Sequence, residues 1–330
     1  MTGALATPIE VSGLTKRFGD FIAVDDLTFT VAPGRITGFL GPNGAGKTTT
    51  LRMILGLIRQ TSGTALIGGK LYHDIPAPLR TVGSALEATN FHPGRSGRDH
   101  LRVLAATAGI PDSRVDEMLE LVGIPAAARK RAGGYSLGMR QRLGLAAAML
   151  GDPNVLVLDE PANGLDPEGI RWLRGFLRHA ADSGKTVLVS SHMLQEVEQT
   201  VDDVVIIANG TLVRSGTMAS LHGTARSLVR TSDAQRLAGA LRVADVTATA
   251  QEDGSLIVDT GDLRLVGDVA QRGGVAIYEL RAHSTDLEAL YFSLTEGTNR
   301  NLGATAATQP TAPSSSAAQD SAATTEGANE

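Results

Sequence analysis

The sequence predicts an α/β fold, with a core built on a parallel sheet and a smaller α+β domain after it. Two observations predict the core: a glycine-rich stretch follows the strand-like run 35–40, and a second such run, 155–158, is apolar throughout and is followed by two carboxylates. Short apolar strands alternating with helical stretches are typical of parallel sheets covered on both faces. The smaller domain is predicted because, from about residue 227, the elements follow the order β-α-β-β-α-β.

The glycine-rich stretch matches the P-loop pattern G-x-x-x-x-G-K-[ST]. We expect every residue of this motif, and Thr49 directly after it, to contact the nucleotide. The motif residues are Gly41, Pro42, Asn43, Gly44, Ala45, Gly46, Lys47 and Thr48. Glycines let successive N–H groups face an anion, and the helix predicted over 49–58 adds its positive N-terminal end. In such loops the lysine reaches the β- and γ-phosphates and the threonine hydroxyl binds Mg²⁺. The sequence therefore predicts a nucleoside triphosphate site, and the flanking strand and helix weigh against a simple surface turn.

The second apolar run ends in Asp159, Glu160 and Pro161. Four consecutive apolar residues predict a buried parallel strand, and open α/β sheets bind ligands at the carboxyl ends of such strands. Asp159 fits the Walker B aspartate that holds Mg²⁺ in P-loop NTPases, and Glu160 is placed to polarise a water for attack on the γ-phosphate. A strand that ends in this way is common by itself, but the upstream P-loop favours the functional interpretation.

A third motif, YSLGMRQR at residues 135–142, precedes a helical stretch over 143–150. It resembles LSGGQxQR, the signature motif of ABC transporter ATPases. The matching residues are Ser136, Gly138, Gln141 and Arg142, whereas Leu137 replaces a glycine and Met139 a glutamine. Ser136 can cap the helix and Gly138 allows close backbone approach, so this N-terminus can bind phosphate. In the family it binds the γ-phosphate held by the other protomer, so the resemblance implies a homodimer with two ATP molecules between its subunits.

Further motifs appear in the family's order. Phe18 resembles the aromatic residue that stacks on adenine, and Val24 lies where the family packs an aliphatic residue beside it. Residues 163–166 (NGLD) resemble the D-loop at the dimer interface, and His192 matches the switch histidine that contacts the γ-phosphate. The catalytic residues that the resemblance implies are Lys47, Glu160 and His192.

Glu87 stands where the family has its Q-loop glutamine. A carboxylate is also a hard oxygen ligand, so the resemblance implies that Glu87 binds Mg²⁺ together with Thr48 and Asp159. With Glu87 and the YSLGM-type signature, the sequence resembles the branch of ABC ATPases that serves drug, antibiotic or lantibiotic export (ABC-2 type). The alternative is a neutral replacement of an amide by its acid.

The predicted organisation has three parts. Residues 8–222 form the P-loop NTPase core of an ABC ATPase, with a helical subdomain at about 98–150. Residues 227–296 form the ferredoxin-like domain, whose strands are predicted at 227–230, 246–250, 256–259 and 275–280 and whose helices are predicted at 233–241, 263–271 and 285–294. Residues 298–330 contain almost no large apolar side chains, which predicts a disordered tail.

Composition agrees with a soluble cytoplasmic enzyme, and the family resemblance implies a peripheral position on the cytoplasmic side of the membrane. We expect no membrane span and no secretory signal, because the sequence has no apolar run of about 20 residues and no charged start followed by an apolar core. The absence of cysteine excludes disulfides and thiol catalysis. The net charge of −5 argues against a nucleic-acid partner.

The sequence thus predicts the ATP-binding and hydrolysing subunit of an ABC exporter, whose permease is an integral-membrane protein on separate chains. An importer subunit is the alternative within transport, and Glu87 and the YSLGM signature weigh against it. A non-transport ABC ATPase would usually carry two cassettes, a long coiled coil or a basic surface. A non-catalytic binding module would lack Lys47 or Glu160.

We predict that Glu87→Gln keeps ATP binding but changes the basal ATPase rate and its pH profile. The substitution removes one negative charge beside the phosphates and keeps an oxygen ligand. Steady-state ATPase assays across pH would measure the change, and export per ATP hydrolysed should fall. Identical rates, pH profiles and export in the two proteins would make Glu87 a neutral replacement.

Overall fold

The computed structural model describes residues 7–86, 91–193, 198–221, 226–251 and 253–283. Glu87, the predicted helix at 285–294 and the predicted tail from residue 298 lie outside these ranges. Within them, no helix is both long enough and apolar enough to cross a membrane.

The strands of the first 220 or so residues form two sheets in the described part of the chain. They are β1 (Ile9–Phe18), β2 (Phe21–Val31), β3 (Ile36–Leu40), β4 (Ser62–Ile67), β5 (Val82–Ala85), β6 (Val155–Asp159), β7 (Thr186–Ser191), β8 (Asp203–Ala208) and β9 (Thr211–Thr217). An antiparallel sheet has the order β2-β1-β4. The larger sheet has the order β5-β6-β7-β3-β8-β9, parallel except for the β8–β9 pair. The predicted α/β core is therefore confirmed.

The helices of this part cover the larger sheet and fill the segment between β5 and β6. They are α1 (Lys47–Ile54), α2 (Pro78–Thr81), α3 (Gly97–Thr107), α4 (Asp112–Leu121), α5 (Leu137–Met149), α6 (Pro167–Asp182) and α7 (Met218–Leu221). Short 3₁₀ turns lie at Tyr72–Asp74, Pro125–Ala127 and Ala132–Gly134. Helices α3, α4 and α5 make up the insert between β5 and β6.

Strand β6 shows why the larger sheet is covered on both faces. Its residues are all buried, and they alternate between two hydrophobic clusters. Val155 and Val157 pack with β1, β2, β4 and α1, whereas Leu156 and Leu158 pack with α3 to α6. Successive side chains of a strand point to opposite faces, so a continuously apolar strand must be buried on both.

Two helix boundaries differ from the sequence predictions. Helix α1 covers Lys47–Ile54 rather than 49–58, because Gly56 adopts a φ of 66° and the chain turns there. Helix α5 begins at Leu137, six residues before the predicted start at 143, because the Ser136 hydroxyl accepts a hydrogen bond from the Met139 N–H at 3.2 Å. Arg140, Gln141 and Arg142 are therefore helical.

The C-terminal residues form a third sheet with its own helices. The elements are β10 (Arg226–Thr231), α8 (Ala234–Val243), β11 (Ala248–Ala250), β12 (Leu256–Val258), α9 (Leu263–Arg272) and β13 (Ile277–His283). The sheet order is β11-β12-β10-β13, with every pair antiparallel. This is the predicted β-α-β-β-α-β order, and both helices pack on one cluster that includes Val229, Leu237 and Val266.

We propose that the third sheet and its helices are a separate folding unit, because their buried residues form a cluster distinct from the two clusters of the first two sheets. A chain truncated after Leu221 should then fold and bind ATP with unchanged affinity, measured by titration calorimetry. Met218 and Leu221 belong to the cluster of the larger sheet, so this end point keeps that core whole. An unfolded fragment, seen by circular dichroism, would contradict the division.

Candidate active site

The predicted site residues meet at the carboxyl edge of the larger sheet. Strand β7 lies between β6 and β3, and the strand register sets Asp159 beside Ser190 and Leu40 beside Ser191. The glycine-rich loop leaves β3 at this edge and leads into α1. Parallel α/β sheets bind ligands at this edge, so the strand order brings three sequence-distant segments to one site.

The Asp159 carboxylate is held by two hydroxyl groups. Thr48 Oγ1 donates to Asp159 Oδ2 at 2.7 Å, and Ser190 Oγ donates to Asp159 Oδ1. Asp159 is only 7% exposed. Hydroxyl and carboxylate oxygens are the ligands that Mg²⁺ prefers, so Thr48 and Asp159 form a pair of donors suited to it.

Lys47 is a buried cation inside the loop. Its Nζ donates to the carbonyl oxygens of Gly41 at 2.7 Å and Pro42 at 3.3 Å, and it lies 3.4 Å from Glu160 Oε1. Burial lowers the pKa of the Lys47 ammonium from its usual range, and the Glu160 carboxylate opposes this shift in part. The loop thus supplies a desolvated positive charge beside the backbone amides at the start of α1, a combination that attracts phosphate.

Gly46 shows why the loop needs glycine. It has a φ of 102°, and a Cβ at this position would lie 2.6 Å from the Ala23 carbonyl oxygen. Any other residue would strain the backbone and collide with the backbone of β2 at Ala23. The sequence motif therefore corresponds to a close backbone approach.

Glu160 directs its carboxylate at Lys47 and His192. One oxygen faces Lys47, and the other lies 2.9 Å from His192 Nδ1. The residue has a φ of 48°, which a non-glycine residue rarely adopts. The Glu160 side chain is 20% exposed, so its carboxylate can contact water while it is bonded to His192.

Ser136 and Gly138 lie at the start of α5, and Gly138 lies close to Gly164 of the D-loop. A Cβ on Gly138 would lie 3.1 Å from the carbonyl oxygen of Gly164, which explains the glycine here. Asp166 ends the D-loop by capping α6, since its Oδ1 accepts from the Gly169 N–H at 2.8 Å. Ser136 is exposed at the start of α5.

The two predicted adenine contacts differ in accessibility. Phe18 is 48% exposed at the end of β1, with Lys16 Nζ 4.7 Å from its ring centroid. Its strand partner Phe21, which the sequence analysis missed, is also exposed. Val24 is fully buried and would lie 3.3 Å from a Cβ on Gly46. Val24 therefore supports the loop from below and offers no surface to a base in this structure.

Ser190 is the site residue that the sequence analysis did not assign. It is fully buried, donates to Asp159 and accepts from the Glu160 N–H at 2.9 Å. The register of the parallel strands β6 and β7 sets Ser190 opposite Asp159, and only this register indicates that Ser190 belongs to the site.

Comparison with known proteins decides the family. A sequence profile of the family described as "ABC transporter" matches residues 24–163. The Bacitracin transport ATP-binding protein BcrA of Bacillus licheniformis is 44% identical over 212 residues, covering 63% of this chain and 69% of that protein. The chain belongs to the ATP-binding proteins of ABC transporters. As an ABC ATPase it couples ATP hydrolysis to transport, and the predicted resemblance is confirmed.

Other comparisons of this ABC ATPase agree. Nod factor export ATP-binding protein I of Ralstonia nicotianae is 38% identical over 221 residues, covering 65% of this chain and 68% of that protein. A solved structure described as "Structure of ATP binding subunit of ABC transporter" superposes with a TM-score of 0.60 at 28% identity, covering 65% of this chain and 91% of that one. Residues 225–288 match a domain of unknown function (DUF8746).

We predict that Lys47→Ala weakens ATP binding by at least about tenfold, because a charged hydrogen-bond donor to the phosphates is lost. Equilibrium binding of a fluorescent ATP analogue would measure the change. Lys185→Ala is a matched control, since it also removes a largely buried ammonium group, one that bonds Asp152 and the Pro153 carbonyl. Equal affinities for Lys47→Ala and the control would remove Lys47 from phosphate binding.

Proposed function

We propose that this ABC ATPase hydrolyses ATP with Glu160 as the water-activating base and that it powers export of a drug, antibiotic or similar compound through a separate permease. The observation that carries the hydrolytic part is the position of the Glu160 carboxylate, which lies next to Lys47 of the P-loop and follows Asp159 directly. A base in this position lies beside the loop that binds the γ-phosphate.

The donor set fits a nucleotide with Mg²⁺. The P-loop amides and Lys47 would hold the phosphates, Thr48 and Asp159 would hold the ion, and we assign Glu87 as a further oxygen ligand. When bound, Mg²⁺ neutralises charge on the phosphates. Phe18 supplies an exposed ring for adenine at the end of β1.

Glu160 and His192 have different roles in the hydrolysis step. Glu160 accepts the proton of the attacking water, and the hydrogen bond from His192 orients the carboxylate. With both ring nitrogens protonated, His192 would also donate toward charge that develops on the γ-phosphate. Each role uses a contact at the carboxyl edge of the sheet.

A second copy of the chain would complete the site. Ser136 and Gly138 stand at the N-terminus of α5, where Ser136 is exposed and a phosphate would meet unpaired backbone N–H groups. We therefore propose a homodimer that binds ATP between its subunits and acts on permease chains from the cytoplasmic side of the membrane, without a nucleic-acid partner.

Export is favoured over import by two lines of support. One similar protein is named as an export ATP-binding protein, and another as a bacitracin transport ATP-binding protein. The YSLGM signature and Glu87 agree with that branch. An importer subunit is the competing function, and the direction of transport distinguishes the two.

We predict that Glu160→Gln binds ATP normally but lowers turnover about 10²- to 10⁴-fold, because the base is lost and the phosphate cradle is kept. The variant should accumulate as an ATP-bound dimer, visible by size-exclusion chromatography. Glu120→Gln is the control, because Glu120 is exposed on α4. Normal turnover in Glu160→Gln would end the assignment of Glu160 as base.

Export is tested in cells. Deleting the gene should raise sensitivity to an exported compound, and the wild-type gene, but not the Glu160→Gln gene, should restore resistance. Reduced uptake of a nutrient in the deletion strain, without a change in sensitivity to any compound, would support the importer instead.

A further inference from the structure

Glu160 has a backbone conformation that its surroundings must maintain. Its φ of 48° lies in the left-handed region, which costs free energy for a residue with a Cβ. Such outliers persist where neighbouring groups fix them, and they cluster at functional sites. The groups that bond the Glu160 backbone therefore control where its carboxylate points.

Both polar groups of the Glu160 backbone are bonded. The N–H donates to Ser190 Oγ at 2.9 Å. The carbonyl oxygen accepts from the Asn163 N–H at 3.1 Å and from the side chain of Gln141, whose Nε2 lies at 3.2 Å. Ser190 also bonds Asp159, whereas Gln141 comes from a different part of the fold.

Gln141 belongs to α5, the helix that begins at the signature motif. It is only 7% exposed, so its amide is kept in place by the cost of leaving a buried polar group without a partner. Gly138 lies three residues before it, on the same side of the helix. The N-terminus of α5 and the Glu160 carbonyl are thus connected through one rigid helix turn and one side chain.

We propose that Gln141 is a positioning residue that holds Glu160 in its active orientation and couples this orientation to the position of helix α5. This inference rests on the proposed role of Glu160 as base. When the N-terminus of α5 engages a phosphate, Gln141 moves with the helix and the Glu160 carbonyl follows. Hydrolysis is thereby favoured only when α5 is in place.

The test is Gln141→Met, which keeps the length of the side chain and removes its N–H donor. We expect kcat to fall about tenfold, the order of loss caused by small misplacement of a catalytic group, with the KM for ATP and the ATP affinity unchanged. Thr186→Val is the matched control, because it removes a 2.7 Å hydrogen bond from a buried hydroxyl to the Thr7 carbonyl at the other end of β7 from the site. It should lower the melting temperature as Gln141→Met does and leave kcat unchanged.

A double variant separates positioning from general damage. In the Glu160→Gln background, Gln141→Met should cause no further loss in single-turnover hydrolysis, because there is no base left to position. Wild-type kcat in Gln141→Met, an equal loss in Thr186→Val, or a full tenfold loss in the Glu160→Gln background would each overturn the proposal. Normal turnover in Glu160→Gln alone would instead overturn the proposed role of Glu160.

Discussion

The geometry of the site is organised by the hydrogen bond between Thr48 and Asp159, which joins the start of α1 to the end of β6 across 111 residues of chain. Asp159 is buried, and a buried carboxylate without donors would be costly. Ser190 on β7 supplies the second donor. Because these contacts require β6, β7 and β3 to end at the same edge, they connect the strand order directly to the position of the P-loop.

Glu160, the residue after Asp159, points its carboxylate in a direction that the strand geometry alone would not give. Successive side chains of a strand point to opposite faces, so Asp159 and Glu160 would diverge if β6 continued. The left-handed φ of Glu160 ends the strand geometry, and both carboxylates then contact adjacent residues of α1, namely Thr48 and Lys47. One carboxylate is held by hydroxyl groups beside the phosphate cradle, while the other faces a cation and a histidine. The different environments of the two carboxylates follow from one backbone torsion, the φ of Glu160.

Much of this could be predicted from the sequence, because the P-loop and Walker B motifs are local and require particular residues at fixed spacing. The C-terminal element order was also predictable from short periodic runs. Contacts that depend on strand register or helix start were not: Ser190 gains its role from lying opposite Asp159, and Gln141 reaches Glu160 only because α5 begins at Leu137. Val24 sits where the family pattern suggests, but packing buries it beneath Gly46.

Our central proposal is that Thr48 and Asp159 form the metal-dependent half of the nucleotide site. It is tested by measuring the ratio of ATP affinity with Mg²⁺ to that with EDTA for the wild type, Thr48→Val and Asp159→Asn. The account predicts that Mg²⁺ strengthens binding in the wild type and that both variants lose this gain while keeping their affinity for metal-free ATP. A full Mg²⁺-dependent gain in both variants would contradict it.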